Sequence, residues 1–319
     1  MLSRRLYRIK VLEGLYAWFQ GGEPRMEVAE KNLLQSIDKV YDLYFYLLSF
    51  LLEVSDFYAR RTEDARHKFY PTEEDLNPSM RFLENPVIRM IRENDEVQRQ
   101  IRRLKINWAD EQEMVRKVYL KIRESRDMKS YLENGKSSFR EDKEIVYQVF
   151  RKAIAKSEAL QFCLEEKNIH WSIDFDAVIL FVLKTIRMLP EDFPSTSSLI
   201  GLFRKEEEDD PAGDRKFITG LFRKVITGSD EYEKMIAGKA RNWELDRIAL
   251  TDIILIKMAL AELLHFPTIP IKVTLNEYIE ISKSFSSPKS KTFINGLLDK
   301  LVEDLKAEDR IRKKGRGLI

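Results

Sequence analysis

The sequence predicts an all-helical protein, and three observations carry that expectation. Glycine is scarce, 12 of 319 residues, whereas soluble chains average ~7%. Leu, Ile, Lys, Glu and Arg are abundant, a composition that suits helices with short connections. No run of alternating β-branched residues is long enough to propose a strand.

The elements follow in order. A first helix is expected from Ser3 to Phe19, where Leu6, Ile9, Leu12, Tyr16 and Phe19 fall at helical spacing and Arg4, Arg5 and Arg8 lie off that stripe. "GGEP" at 21–24 should end it. Residues 26–66 read as one long helix, apolar at Leu33, Leu34, Ile37, Val40, Tyr41, Tyr44, Leu47, Leu48, Leu51 and Leu52. Its stretch "LYFYLLSFLL" at 43–52 is short of the ~20 residues a membrane span needs, so it predicts a buried helix. Residues 70–86 read as a loop with short helical turns, and helices are expected at 87–104, 110–132, 141–165 and 174–188. "PEDFPS" and "EEEDDPAGD" (206–214) read as linkers.

Further helices are expected at 214–227, 230–240, 250–265, 275–285 and 288–306. For the helix at 275, Thr274 reads as the N-cap, with Glu277 completing a capping box and Val273 and Tyr278 forming a hydrophobic staple. Ser287 and Pro288 open the last helix. Inside it, Asn295–Gly296 is a hairpin-turn dipeptide. Yet Phe293, Leu297, Leu301 and Leu305 step by four with Ile294 and Leu298 beside them, so the stripe of a helix runs through the pair. Glycine there costs up to ~1 kcal/mol against alanine, which implies a packing or binding reason for Gly296. The basic tail 310–316 has little apolar to bury and is expected to be disordered.

Composition excludes several function classes. A single cysteine, Cys163, rules out an internal disulfide framework and fits a reducing, cytoplasmic compartment. The basic N-terminal stretch is interrupted by Glu13 and lacks a signal-peptide cleavage pattern. His67, His170 and His265 are far apart and lack metal-ligand spacing, so neither metal nor cofactor is expected. No P-loop, GxSxG or HExxH occurs, and the chain is not expected to be an enzyme.

The net charge is only +2, but it is unevenly spread. Residues 1–22 carry +3, 214–319 carry +5, and the centre between them carries −6. Basic clusters suit a polyanion partner, while solvated helix faces are the plainer alternative.

One internal similarity stands out. With a shift of 72 residues, 142–174 lies over 214–246 with nine of 33 positions identical, among them Asp142/Asp214, Phe150/Phe222, Ser157/Ser229, Trp171/Trp243 and Asp174/Asp246. The shared tryptophan favours a duplication over the chance matching of amphipathic helices.

The C-terminal stretch "NWELDRIALTDIILIKMALAELLHFPTIPIKVTLNEYIEISKSFSSPKSKTFINGLLDKL" resembles the C-terminal half of the NusB family of transcription antitermination factors. "SRRLYRIKVLEGLYAW" resembles that family's opening basic helix, and "FITGLFRKVI" its second helix. The resemblance covers about 3–20 and 214–305. It implies a NusB-like helical bundle core from 1–22 and 214–306, an inserted helical region at 23–213 holding a duplicated segment at 142–189, and a tail at 307–319. It also implies binding of boxA-type RNA of ribosomal RNA transcripts, together with the ribosomal small-subunit protein NusE and the RNA polymerase elongation complex, away from membranes. NusB-like domains also occur fused to RNA methyltransferases, but the Gly-rich strand–helix turns and catalytic cysteine those need are absent here. A helical protein–protein adaptor without specific RNA binding is the alternative.

Arg4, Arg5 and Arg8 match the arginines of the family's basic helix and are the leading RNA contacts, since guanidinium forks suit phosphates and stack on bases. Tyr16 and Phe293 are candidates to stack unpaired bases. Lys289 and Lys291 sit at a helix N-terminus, a natural phosphate site, and Asn295 can donate and accept at the same edge. Trp243, Asp246 and Asp252 are expected to be structural, with Asp252 suited to a helix start.

Overall fold

The computed structural model describes residues 4–21, 25–134, 138–199, 211–239 and 248–318, and among these it contains helices and turns with no strand. In chain order the helices are α1 (Arg4–Phe19), α2 (Met26–Arg66), α3 (Glu73–Leu76), α4 (Pro86–Glu93), α5 (Asp95–Leu104), α6 (Gln112–Arg123), α7 (Arg126–Glu133), α8 (Phe139–Val149), α9 (Glu158–Lys167), α10 (Trp171–Met188), α11 (Pro211–Thr227), α12 (Ser229–Lys239), α13 (Leu250–His265), α14 (Ile271–Phe285) and α15 (Pro288–Ala307). A π-turn, Phe150–Ile154, follows α8. The chain divides into two compact units, residues 38–204 and residues 2–37 with 205–319. The division falls inside α2.

The unit of residues 38–204 is built along α2. Leu43, Tyr44, Phe45, Leu47, Leu48 and Phe50 are all buried, because this part of the helix is apolar on every side. Aromatic rings carry the packing outward: Tyr44 onto Phe181, Phe50 onto Trp108, Tyr46 onto Trp171, and Tyr58 onto Phe82 and Tyr119. The polar tips find partners. Trp108 donates to Ser49 at 2.9 Å and Trp171 to the Lys39 carbonyl at 2.9 Å. Cys163, on α9, is a free thiol 3.7 Å from a Glu111 carboxylate oxygen, and burial raises its pKa.

Three expected long helices are broken in this unit by short polar residues that cap a new helix. Asn94 separates α4 from α5 and accepts from the Val97 amide, Ser125 accepts from Met128, and Ser157 accepts from Leu160. Asn94 also donates to the carbonyls of Ser195 at 3.0 Å and Ser197 at 2.8 Å. "PEDFPS" is therefore tied to α5 and is not a free linker. Most of "EEEDDPAGD" lies outside the described residues, and its last residues open α11.

In the other unit α13 is the hub, packed by α1, α11, α12, α14 and α15. It is apolar nearly all round, and Ile254 through Leu263 are buried, including the charged Lys257 and Glu262. The α1 helix lies against α11, α13 and α14. Its buried residues are Leu6, Tyr7, Arg8, Lys10, Val11, Leu12 and Leu15. The expected stripe through Tyr16 and Phe19 is thus rotated, since helices enclose α1 on several sides, and Tyr16 is exposed. Gly21 ends α1 at φ +84, a backbone shape that glycine accepts freely.

Two expected features are corrected here. The α14 helix begins at Ile271, with Pro270 as its N-cap. Thr274 is therefore inside the helix, fully buried, and its hydroxyl donates to Glu262 at 2.8 Å. Neither the capping box nor the staple forms there, and Val273 is exposed. The α15 helix does run through Asn295–Gly296, with Ser287 capping it and accepting from the Ser290 amide. However, a Cβ on Gly296 would meet nothing within 4 Å, so no packing among the described residues requires glycine there.

Some repeat positions share environments. Phe150 and Phe222 are both fully buried. Asp142 and Asp214 are both buried and each accepts from a tyrosine hydroxyl, Tyr131 at 2.6 Å and Tyr7 at 3.2 Å. Ser157 caps α9 and Ser229 opens α12. Trp243 and Asp246 lie outside the described residues.

His265, at the end of α13, sits 3.2 Å from the Tyr232 hydroxyl, and burial, then the charge of Lys224, lowers its pKa from the ordinary 6.5. The unfolded chain then binds the proton more readily than the folded one. Stability is therefore lost as pH falls below about 6.5 toward the folded value. Urea midpoints measured between about pH 7.5 and 5.5 are expected to fall less for His265→Gln than for the unaltered chain.

Candidate nucleic-acid interface

The first turns of α1 place Arg4, Arg5 and Arg8 on adjacent positions of one helix surface, but their neighbours give each a different fate. Arg8 points inward. It is 2% exposed and donates twice to Glu262, at 2.8 and 2.7 Å. Glu262 is itself fully buried and also accepts from Thr274 at 2.8 Å and from the Tyr278 hydroxyl at 3.1 Å. Burial opposes the charge on Arg8, but the hydrogen bonds and charge of Glu262 more than offset it, so its pKa is raised. For Tyr278, burial and the Glu262 charge together raise the pKa well above its ordinary value, so the hydroxyl keeps its proton and donates. The expectation that Arg8 contacts RNA is therefore corrected. Its Nε and Nη2 donors are taken up by Glu262 in the core, a pair that ties α1 to α13.

Arg5 is accessible. It forms a bidentate pair with Glu277 on α14, at 3.0 and 2.8 Å, with the arginine side chain 46% exposed. Such a pair contributes about 0–1 kcal/mol, so a phosphate can compete for this guanidinium. Arg4 is exposed and lies over the Phe217 ring, 5.6 Å from its centroid.

Lys291 is exposed in the first turn of α15. Glu280 on α14 has its pKa lowered first by a hydrogen bond from Lys283, and also by the charges of Arg5 and Lys291. The starts of α1 and α15 thus share one acidic neighbour across α14. The sequence pattern does not show this, because Glu277 has the spacing of a capping residue and Glu280 belongs to no motif. Lys289 belongs to the first turn of α15, but its side chain lies outside the described residues.

The remaining candidates are more dispersed. Phe293 is half-buried, and Asn295 is exposed and donates to Asp299 at 3.2 Å. Tyr16 is 42% exposed and its hydroxyl accepts from Gln20 at 3.0 Å. It stands about 18 Å along the helix axis from Arg4, so α1 does not gather it into the Arg4–Arg5 cluster. Asp252 is buried in the first turn of α13 and accepts from the Ser286 hydroxyl, joining that helix start to the end of α14. Among the described residues no group of His, Cys, Asp and Glu could hold a metal ion. No helix among them is long and apolar enough to cross a membrane.

Comparison with known proteins matches the model of the NusB family to residues 188–303. The chain is 40% identical over 139 residues to the transcription antitermination protein NusB of Salinibacter ruber, a match covering 43% of this chain and 86% of that relative. It is 40% identical over 105 residues to the protein of the same name from Chloroherpeton thalassium, covering 33% of this chain and 50% of the relative. For that of Geobacter sulfurreducens the identity is 38% over 107 residues, covering 34% and 78%. No solved structure matches the chain.

Proposed function

Because the chain belongs to the NusB family, we propose that it acts in transcription antitermination by binding boxA-type RNA of ribosomal RNA transcripts, together with the NusE protein and the elongating RNA polymerase. The observation that carries this reading is the 40% identity across 86% of a relative named as a transcription antitermination protein. In this reading Arg4, Arg5, Lys289 and Lys291 meet phosphates. Phe293, Tyr16 and Asn295 meet bases, and Arg8 positions the helix that carries Arg4 and Arg5. The ion pair of Arg5 with Glu277 favours selectivity, since a phosphate has to displace a carboxylate to bind there.

The test is RNA binding by the full chain across a salt series, with and without the NusE protein, comparing boxA-type RNA with a scrambled sequence. Specific binding, strengthened by the partner, is expected. Arg4→Ala and Lys289→Glu should each weaken it and lower the salt slope by about 0.7 for every phosphate of single-stranded RNA that is no longer neutralised. No preference for boxA-type RNA in either condition would favour the adaptor reading. An unchanged slope in both variants would remove these residues from the interface.

A further inference from the structure

The basic tail does not hang free. After α15, Asp309 adopts φ +51, and the amides of Asp309 and Arg310 donate to the Lys306 and Leu305 carbonyls at 3.1 and 2.9 Å. This is the paired hydrogen bonding that closes a helix through a left-handed residue and turns the chain back. The returning segment then docks on the connection between α13 and α14. Lys313 donates to the Phe266 carbonyl at 3.1 Å, where a cation suits the negative end of α13. The Lys314 amide donates to the Pro267 carbonyl at 2.9 Å. Gly317 lies so close that a Cβ there would stand 2.0 Å from the Pro267 oxygen.

The attachment is made by backbone and by Lys313, which leaves the side chains of Arg312 and Lys314 exposed. Other exposed cations surround the same connection. Phe266 packs edge-on against Phe217 at 5.3 Å, and Arg4 covers that same Phe217 ring. On α11, Gly220 faces Phe266, with Lys216 one turn before it and Lys224 one turn after, both exposed. Fewer carboxylates lie nearby: Glu231 and Glu308 are exposed and share the single charge of Arg310, and Glu262 is buried against Arg8. Asp309 is exposed as well.

We propose that the docked tail is a second phosphate-binding arm, with Arg312 and Lys314 joining Arg4, Lys216 and Lys224 in one basic surface that carries RNA backbone beyond the starts of α1 and α15. The inference rests on the RNA-binding reading above. Clustered cations that outnumber the carboxylates around them are the electrostatic footprint of a nucleic-acid backbone partner.

The experiment uses the full chain with boxA-type RNA and a salt series. Arg312→Gln/Lys314→Gln removes two charges that do not hold the tail in place. Lys117→Gln/Lys121→Gln removes two exposed charges from α6 as a control. The expected result is a several-fold weaker affinity and a slope reduced by about 1.4 for the tail variant, with an unchanged slope for the control and an unchanged Tm for both. If the unaltered chain binds the RNA and the tail variant keeps its affinity and slope, the inference is overturned while the RNA-binding reading stands. An equal loss in the control also overturns it, since net charge would then be the cause. If the unaltered chain binds no RNA, the reading beneath the inference fails and the inference falls with it.

Discussion

Arg8→Met is expected to lose about 3–5 kcal/mol of unfolding free energy, because it leaves the buried Glu262 carboxylate without its counter-charge. Thr274 and Tyr278 would still donate to that carboxylate, but neither supplies a positive charge. The double variant Arg8→Met/Glu262→Gln should recover part of the loss, since the unpaired charge is removed while an acceptor remains. Urea denaturation of the three proteins checks this. A loss below about 1 kcal/mol for Arg8→Met would mean that water or Lys313 reaches Glu262, and the pair would not be the anchor of α1. The same variant bears on RNA. Arg8→Met is expected to act through stability, so its salt slope should match that of the unaltered chain under conditions where both are folded.

Phe222→Ala and Phe150→Ala are each expected to cost about 3–5 kcal/mol, the range for deleting a fully buried ring. Phe222 packs from α11 so close to α1 that a Cβ on Gly14 would stand 3.4 Å from its ring. Phe150 opens the π-turn after α8 and is equally buried. If 142–189 and 214–265 descend from one segment, these rings hold the same post in two cores, and their losses should be similar. Shifts of the urea midpoint measure both. A loss under about 1.5 kcal/mol in one of them would show a site that collapses around the missing ring, and the comparison of the two cores would lose its best pair.

Several helices were legible because their ends carry chemistry. The bounds of α2 and α13 fall where the apolar period and its flanking residues place them, and Ser287–Pro288 opens α15 as expected. The breaks at Asn94, Ser125 and Ser157 were not legible, because the apolar period continues across each of them. A cap there is one polar atom meeting one amide, which periodicity does not register. The capping-box pattern shows the same limit from the other side. Thr72 and Asp75 form one, with both reciprocal bonds present. Thr274 and Glu277 have the same spacing and do not, because α14 had already begun at Ile271, Thr274 donates to Glu262 and Glu277 accepts from Arg5.

The site was legible as a list of cations and not as a surface. Arg4 and Arg5 are where a basic helix start should put them, but the inward turn of Arg8 depends on Glu262, 254 residues away. The tail looked unstructured because its apolar content is low, yet carbonyls at the end of α13 fix it through Lys313. Hydrogen bonds to backbone leave little trace in composition.

The Arg8–Glu262 pair also sets a timetable for synthesis. The unit of residues 38–204 is continuous in the chain, so all of it is available as soon as it has been made. The helix bearing Arg8 is made early, but its carboxylate partner follows 254 residues later, a wait of roughly 13–50 s at bacterial-type elongation rates. Through that interval α1 has neither its counter-charge nor the apolar faces of α11 and α13 to cover Leu6, Val11 and Leu15. A translation pause between the two units would lengthen this exposure of the opening helix.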